Sequence, residues 1–215
     1  DAVVLRAYQF REDNGPLAHP VRPESFVEIN NFYTATVYEK GAEVIGMLKL
    51  LVGNEAYYQA LDLFFERHDG DAATIEDWLQ VFADTTGRDL TQFKRWYSQA
   101  GTPRVTVSDE YHEGTYTLHL RQETPATPGQ DKKEPLLIPI AVGLLDENDA
   151  EVVPTTVLEM TEAAQSFAFD GLSSKPIPSA LRGFSAPVIG NHDNTNAERD
   201  FLVAPATDPF NRWAA

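Results

Sequence analysis

At 215 residues the chain has room for one large or two modest domains, and its 42% hydrophobic content can bury a core and lies outside the disordered range. Lys plus Arg number 17 against 33 Asp plus Glu, a net charge of −16 that serves solubility, repels phosphate backbones and excludes nucleic acid as a partner. The absence of Cys excludes a disulfide, a thiolate metal site and a cysteine nucleophile, and no apolar run approaches the roughly 20 residues that span a bilayer, so no membrane partner and a reducing cytoplasm are expected.

The opening Asp1-Ala2-Val3-Val4-Leu5-Arg6 lacks the basic start and long apolar region of a signal peptide, and the missing initiator Met fits a processed or excised piece. Residues 1 to about 35 are expected to be irregular, with one helical turn near the start. Asn14-Gly15-Pro16 and His19-Pro20 are turn signals. His19 has no second His nearby, so it is expected to fix its loop by a hydrogen bond rather than bind a metal.

The stretch from Asn30 to Val44 is dense in polar and aromatic groups and runs into an amphipathic helix. Its polar groups would be costly to bury without partners, so the segment reads either as a site wall or as a tyrosine-rich helix start that packs. From about Val37 the pattern is helical, with Val44, Ile45, Leu48, Leu51 and Val52 as its apolar face. Gly53-Asn54 ends this helix and opens the next, whose face is Tyr57, Tyr58, Leu61, Phe64 and Phe65 and whose stop is His68-Asp69-Gly70. Thr74 caps a third helix, with Asp77 completing a capping box, Trp78, Leu79, Val81 and Phe82 on its apolar positions, and Thr86-Gly87 at its end. Leu90, Phe93, Trp96 and Tyr97 supply a fourth helix, with Gly101 as its left-handed cap.

At Thr102-Pro103 the period changes from helical to alternating. Strands are predicted at Arg104–Ser108 and Tyr116–Arg121, with Asp109 to Thr115 as a hairpin loop, then at Leu137–Leu144, Val152–Thr156, Ser166–Phe169 and near Ala180–Phe184. The polar, Pro-containing run Thr124 to Lys133 is expected to be exposed, and Asn194 to Ala215 to form helical pieces broken at Pro205 and Pro209. The fold class is therefore α+β: a helical subdomain, an antiparallel β-sandwich and a short helical tail. The expected units are residues 1–101, 102–190 and 191–215.

Val37-Tyr38-Glu39-Lys40-Gly41-Ala42-Glu43-Val44 resembles the tyrosine segment of the gluzincin-type zinc aminopeptidases, and within them the bacterial aminopeptidase N group. The flanks His19-Pro20-Val21-Arg22-Pro23, Phe65-Glu66-Arg67-His68-Asp69-Gly70 and Arg95-Trp96-Tyr97-Ser98-Gln99-Ala100-Gly101-Thr102-Pro103 also fit, in the right order. The resemblance runs through the whole chain and is densest from about Arg6 to Pro139. It implies the later, helical half of a thermolysin-like catalytic domain, then a β-sandwich, then the start of a helical C-terminal domain.

The same resemblance implies that Tyr38 is the catalytic tyrosine, Tyr33 lines the pocket for the substrate side chain and Asn30 borders that cleft. A phenol with a pKa near 10 stays protonated at neutral pH and can donate to an oxygen that gains negative charge. Zinc and peptide substrates are implied for the parent enzyme. No His-Glu-x-x-His occurs in this sequence; His112-Glu113-Gly114-Thr115-Tyr116 is the nearest approach, in a hairpin rather than a helix. The five histidines show no ligand spacing, and the family's Gly-x-Met-Glu-Asn motif is missing as well. No metal is therefore expected in this chain alone, and the remaining N- and C-terminal portions of the same enzyme are its expected partners. Glu39 and Glu43, with Lys40 beside them, read as first-turn residues favoured by the helix dipole rather than as a carboxylate dyad. The alternative to an enzyme fragment is a non-catalytic β-sandwich binding or scaffold module. An exposed apolar surface on the helical side would separate the two.

Overall fold

The computed structural model describes residues 2–148, 150–192 and 208–214. Its helical layer opens with a helix, α1, over residues 2–13, built from α turn Ala2–Val4, π turn Leu5–Gln9 and α turn Phe10–Asp13. This corrects the expectation of an irregular leader. Leu5, Gln9, Phe10 and Asp13 form its buried face, and the two polar members disguise the helical period. The loop beyond α1 is fixed by His19, whose Nδ1 meets the Leu17 carbonyl O at 2.8 Å and whose Nε2 meets Thr34 Oγ1 at 2.8 Å.

A second π turn, Thr36–Lys40, runs directly into α2, Gly41–Val52. Its buried residues are Val44, Met47, Leu48 and Leu51, the i, i+3, i+4, i+7 set. Ile45 lies one residue off that line and is 40% exposed. Gly53, at φ 82°, is the whole connection to α3, Asn54–His68. There the predicted aromatic face is only partly buried: Tyr57 packs on Phe82 and Phe64 on Trp78, while Tyr58 and Phe65 are exposed. Helix α4, Ile75–Thr86, has the expected capping box. The Asp77 amide donates to Thr74 Oγ1 at 3.1 Å and Asp77 Oδ2 accepts from the Thr74 amide at 2.9 Å. Gly87 ends it in the left-handed region. The fourth helix shrinks to one turn, α5, Arg95–Ser98, although Leu90, Phe93, Trp96 and Tyr97 are all buried. Gly101 lies beyond its end rather than capping it.

The strands form two sheets, with Ala164–Phe169, Thr115–Glu123, Arg104–His112 and Ile189–His192 side by side in one and Glu151–Met160, Ile138–Leu145 and Ile177–Ala180 in the other. Strands β1, Arg104–His112, and β2, Thr115–Glu123, pair in register through the two-residue turn Glu113-Gly114. Both turn residues have positive φ, as a tight primed hairpin requires. The hairpin loop is thus shorter than the Asp109–Thr115 expectation. Polar residues there alternate outward while the Tyr116 hydroxyl donates to Asp109 Oδ2 at 2.7 Å. The remaining strands are β3, Ile138–Leu145; β4, Glu151–Met160; β5, Ala164–Phe169; β6, Ile177–Ala180; and β7, Ile189–His192. Strand β4 outruns its prediction at both ends, and it accommodates Pro154 because it is an edge strand, where a missing N–H need cost no ladder bond. Strand β6 stops at Ala180 because Leu181, Gly183 and Phe184 take positive φ around the 3-10 turn Arg182–Phe184. The pairing is antiparallel except that β7, which sequence patterning missed, runs parallel to β1.

Strand β3 is buried at every position. It touches α2, and the same core cluster takes in Val44, Leu48 and Phe82 from the helices and Val105, Leu118 and Ile140 from the sheets. Polar bonds fasten the two layers together. Trp96 Nε1 donates to the Leu137 carbonyl at 2.8 Å, and Gln92 Nε2 and Arg95 donate to Pro135 O. The run Thr124 to Lys133 is tied down rather than free: Gln130 Oε1 accepts from the Ala100 amide at 2.8 Å, and Lys133 Nζ donates to Ala100 O at 2.8 Å.

Most of the predicted tail, including the break at Pro205, lies outside the described residues. Its final helix, α6, Pro209–Ala214, starts at Pro209, where the missing N–H would have no partner in any case. Asp208 Oδ1 accepts from the Phe210 and Asn211 amides, and Asn211 Nδ2 donates to Ala180 O, docking the helix on the end of β6.

Candidate functional site

Three predicted site residues lie on the short path between α1 and α2. Asn30 is exposed on the 3-10 turn Ile29–Phe32. Tyr33 follows that turn, and Tyr38 sits in the middle of the π turn. The structure brings the two tyrosines together: their rings stack at 6.2 Å between centroids, 25° from parallel. Tyr33 also meets Phe32 edge-on, and Phe32 meets Phe26. Within this chain neither tyrosine belongs to the core, since Tyr33 is 57% and Tyr38 59% exposed.

The π turn that carries Tyr38 ends at Lys40, in a buried polar cluster. Lys40 and Asp13 are 1% and 0% exposed and form an ion pair at 2.7 Å between Nζ and Oδ2. Lys40 Nζ also donates to the Gly101 carbonyl at 3.0 Å and lies 5.9 Å from the centre of the Trp96 ring. Asp13 Oδ1 accepts from the Gly101 amide at 2.8 Å, and Oδ2 accepts from Thr102 Oγ1 at 2.9 Å. Burial pushes the Asp13 carboxyl up, but the Lys40 charge and the hydrogen bonds from Lys40, Gly101 and Thr102 outweigh it and hold the group below the usual carboxylate range. Each charge is thus buried with its bonds satisfied, as such a pair must be to persist.

Lys40 consequently does not stand beside Glu39 and Glu43; it turns inward to α1. Glu43 is left partly buried on α2, and desolvation, with repulsion from Glu39, raises its pKa. The first-turn reading of these two carboxylates placed them correctly in sequence but gave them the wrong cation.

Sequence reasoning missed Gln9, Glu12, Asp13 and Thr36. The first three recur at i, i+3 and i+4, which is a helix face, but a polar face reads as a solvated one. Among the described residues no three His, Cys, Asp or Glu side chains gather to hold a metal ion.

Comparison with known proteins agrees with the resemblance seen in the sequence. Residues 4–97 match the Peptidase family M1 domain, and residues 101–193 match the "Domain of unknown function (DUF3458) Ig-like fold". In its first 97 residues the chain is thus similar to peptidases of family M1. More particularly, it is similar to aminopeptidase N of Escherichia coli (strain K12), 48% identical over 98% of this chain, and of Caulobacter vibrioides, 50% identical over 100% of it. It spans 25% of the length of each of these relatives. Among solved structures, Legionella pneumophila aminopeptidase A in complex with aspartic acid superposes over 97% of this chain with a TM-score of 0.82 at 30% identity, this chain covering 25% of that one.

Proposed function

We propose that this chain is part of a zinc aminopeptidase that removes N-terminal amino acids from peptides, and that it supplies the oxyanion donor and a wall of the substrate cleft. The observation that carries the reading is the exposed Tyr38 phenol, stacked on Tyr33 and mounted on a π turn anchored by a buried ion pair. π turns inside helices recur at functional sites, and this one points an aromatic donor outward where packing would have turned it in. Tyr38 donates its hydroxyl hydrogen to the carbonyl oxygen of the scissile bond as that oxygen becomes negative. Tyr33 and Asn30 border the space that receives the substrate side chain.

Zinc and the group that recognises the peptide amino terminus are supplied by other portions of the same enzyme. The distribution of exposed apolar side chains supports this division. Tyr8, Leu17, Phe26, Val27, Ile29 and Phe65 all lie on the helical side, and among the described residues of the sandwich only Val152 joins them. Such a surface argues against a self-sufficient sandwich module. The units are residues 1–101 for the catalytic-domain half, 102–190 for the sandwich and 191–215 for the start of a further helical domain. We place the enzyme in the cytoplasm. For the membrane, the structural statement is that among the described residues no helix is long and apolar enough to cross one.

The test is steady-state kinetics of Tyr38→Phe in the full-length enzyme, with folding followed by thermal unfolding. Loss of one oxyanion donor should lower kcat on the order of 10²- to 10³-fold. KM should change little, because the bond strengthens only in the transition state. Tyr33→Phe should instead change KM modestly, to an extent set by the substrate side chain. The isolated chain should hydrolyse no aminoacyl amide and bind no stoichiometric zinc. A folded Tyr38→Phe enzyme with near-normal kcat would overturn the assignment, as would one equivalent of tightly held zinc on the isolated chain.

A further inference from the structure

The π turn that carries Tyr38 is pinned at both ends by one face of one helix. A five-residue π turn is not the default conformation of a peptide, and it persists where outside contacts favour it. Thr36 opens the turn. Glu12 Oε1 accepts from the Thr36 amide at 2.7 Å and from the Thr36 hydroxyl at 2.6 Å. Gln9 Nε2 donates to that same hydroxyl at 3.2 Å, so Thr36 Oγ1 is engaged both as donor and as acceptor. Lys40 closes the turn, and Asp13 holds it. Gln9, Glu12 and Asp13 sit at i, i+3 and i+4, so a single turn of α1 presents all three to the tyrosine segment. Between the two pins lie only Val37, Tyr38 and Glu39. Thr34 Oγ1 adds a further tie by accepting from the Val37 amide at 3.2 Å, and it is itself held by His19.

The two pins differ in what else they do. Asp13 also binds Gly101 and Thr102, at the junction with the first strand, so its loss would disturb the fold broadly. The bonds of Glu12 go to Thr36 alone, by the same oxygen and in a half-buried setting. They satisfy the buried Thr36 amide and hydroxyl and reach no other part of the fold. A charged acceptor holding an N–H and an O–H of one residue is a strong and directional contact.

We propose that Glu12 is a positioning residue for Tyr38: its carboxylate fixes the start of the π turn through Thr36 and thereby sets where the Tyr38 phenol points. The inference rests on the reading of Tyr38 as the oxyanion donor. Such a donor works only within about 2.7–3.1 Å of the developing charge, so a small displacement of the turn is felt in the rate. Glu12 makes its contribution through geometry and touches no reacting atom.

The experiment is a double-mutant cycle of Glu12→Ala and Tyr38→Phe in the full-length enzyme, with Glu12→Gln and Thr36→Val as companions. Glu12→Ala should lower kcat on the order of tenfold with KM nearly unchanged. Glu12→Gln, which keeps an acceptor of the same shape, should recover most of the rate. Thr36→Val, which removes the hydroxyl arm together with the Gln9 bond and keeps the amide bond to Glu12, should fall between wild type and Glu12→Ala, and it carries the test with Glu12→Gln if the alanine variant does not fold. In the Tyr38→Phe background, replacing Glu12 or Thr36 should have no further effect on kcat. Equal losses in both backgrounds, with Tyr38→Phe itself strongly impaired, would overturn the proposal while leaving the reading of Tyr38 intact. A near-normal kcat for Tyr38→Phe alone would instead remove that reading, and the proposal with it.

Discussion

Removing the Asp13 carboxylate should be among the most damaging single changes available to this chain. Asp13→Ala leaves the Lys40 ammonium, 1% exposed, with one remaining acceptor, the Gly101 carbonyl. It also takes the acceptor from the Gly101 amide and from the Thr102 hydroxyl. Breaking a buried pair by removing one partner costs about 3–5 kcal/mol, and two stranded donors place this variant near the upper end. At about 2–4 °C per kcal/mol for a protein of this size, the melting temperature should fall by about 10–20 °C. Lys40→Met should cost less, about 3 kcal/mol, because Asp13 keeps the Gly101 and Thr102 donors. The double variant Asp13→Ala/Lys40→Met should lose clearly less than the sum, since no charge is then left buried alone. Acid should act through the same group. The folded pKa of Asp13 lies below its unfolded value, so its contribution is fully present above the unfolded value near 4 and is lost as pH falls through the folded one. Thermal and urea unfolding by circular dichroism, repeated from pH 7 down to pH 3, measures all of this. A cost below about 1 kcal/mol for Asp13→Ala, or strict additivity in the double variant, would refute the argument that the pair is a satisfied buried unit.

Two further outcomes are expected away from the site. Gly143 on β3 lies under the buried Arg182 guanidinium, where an added Cβ would sit 2.3 Å from Arg182 Cζ. Arg182 is held by Ser179, Thr155 and Glu151 and cannot simply swing aside, so Gly143→Ala should cost about 1–3 kcal/mol, read as a lowered urea midpoint. An unchanged midpoint would show that Arg182 yields freely. Burial pushes the Tyr97 phenol up to about 12, against the opposing effect of the Trp78 indole beside it. The folded state therefore keeps a proton that the unfolded chain releases near pH 10, and stability should fall by about 2–3 kcal/mol between pH 10 and 12. Tyr97→Phe should flatten that part of the pH profile; a profile unchanged by the substitution would refute the assignment.

The sequence by itself determined whatever depends on short-range chemistry. The Thr74–Asp77 capping box, the glycine stops at Gly53 and Gly87, the switch to alternation after Pro103 and the bond-making role of His19 all follow from residues a few positions apart. The resemblance of the segment that contains them singled out Tyr38 and Tyr33, whose rings the fold stacks on one another. Tertiary structure decided what happens to buried polar groups. Gln9, Glu12 and Asp13 look like a solvated face, and they make α1 look irregular, because a polar residue signals burial only once its partner is known. Lys40 is four residues from both Thr36 and Val44, and only the approach of Asp13, 27 residues away in sequence, turns its ammonium inward and away from Glu43. The parallel pairing of β7 with β1 and the complete burial of β3 have the same origin. Both depend on surfaces contributed from distant parts of the chain, and local periodicity carries no record of which surfaces will meet.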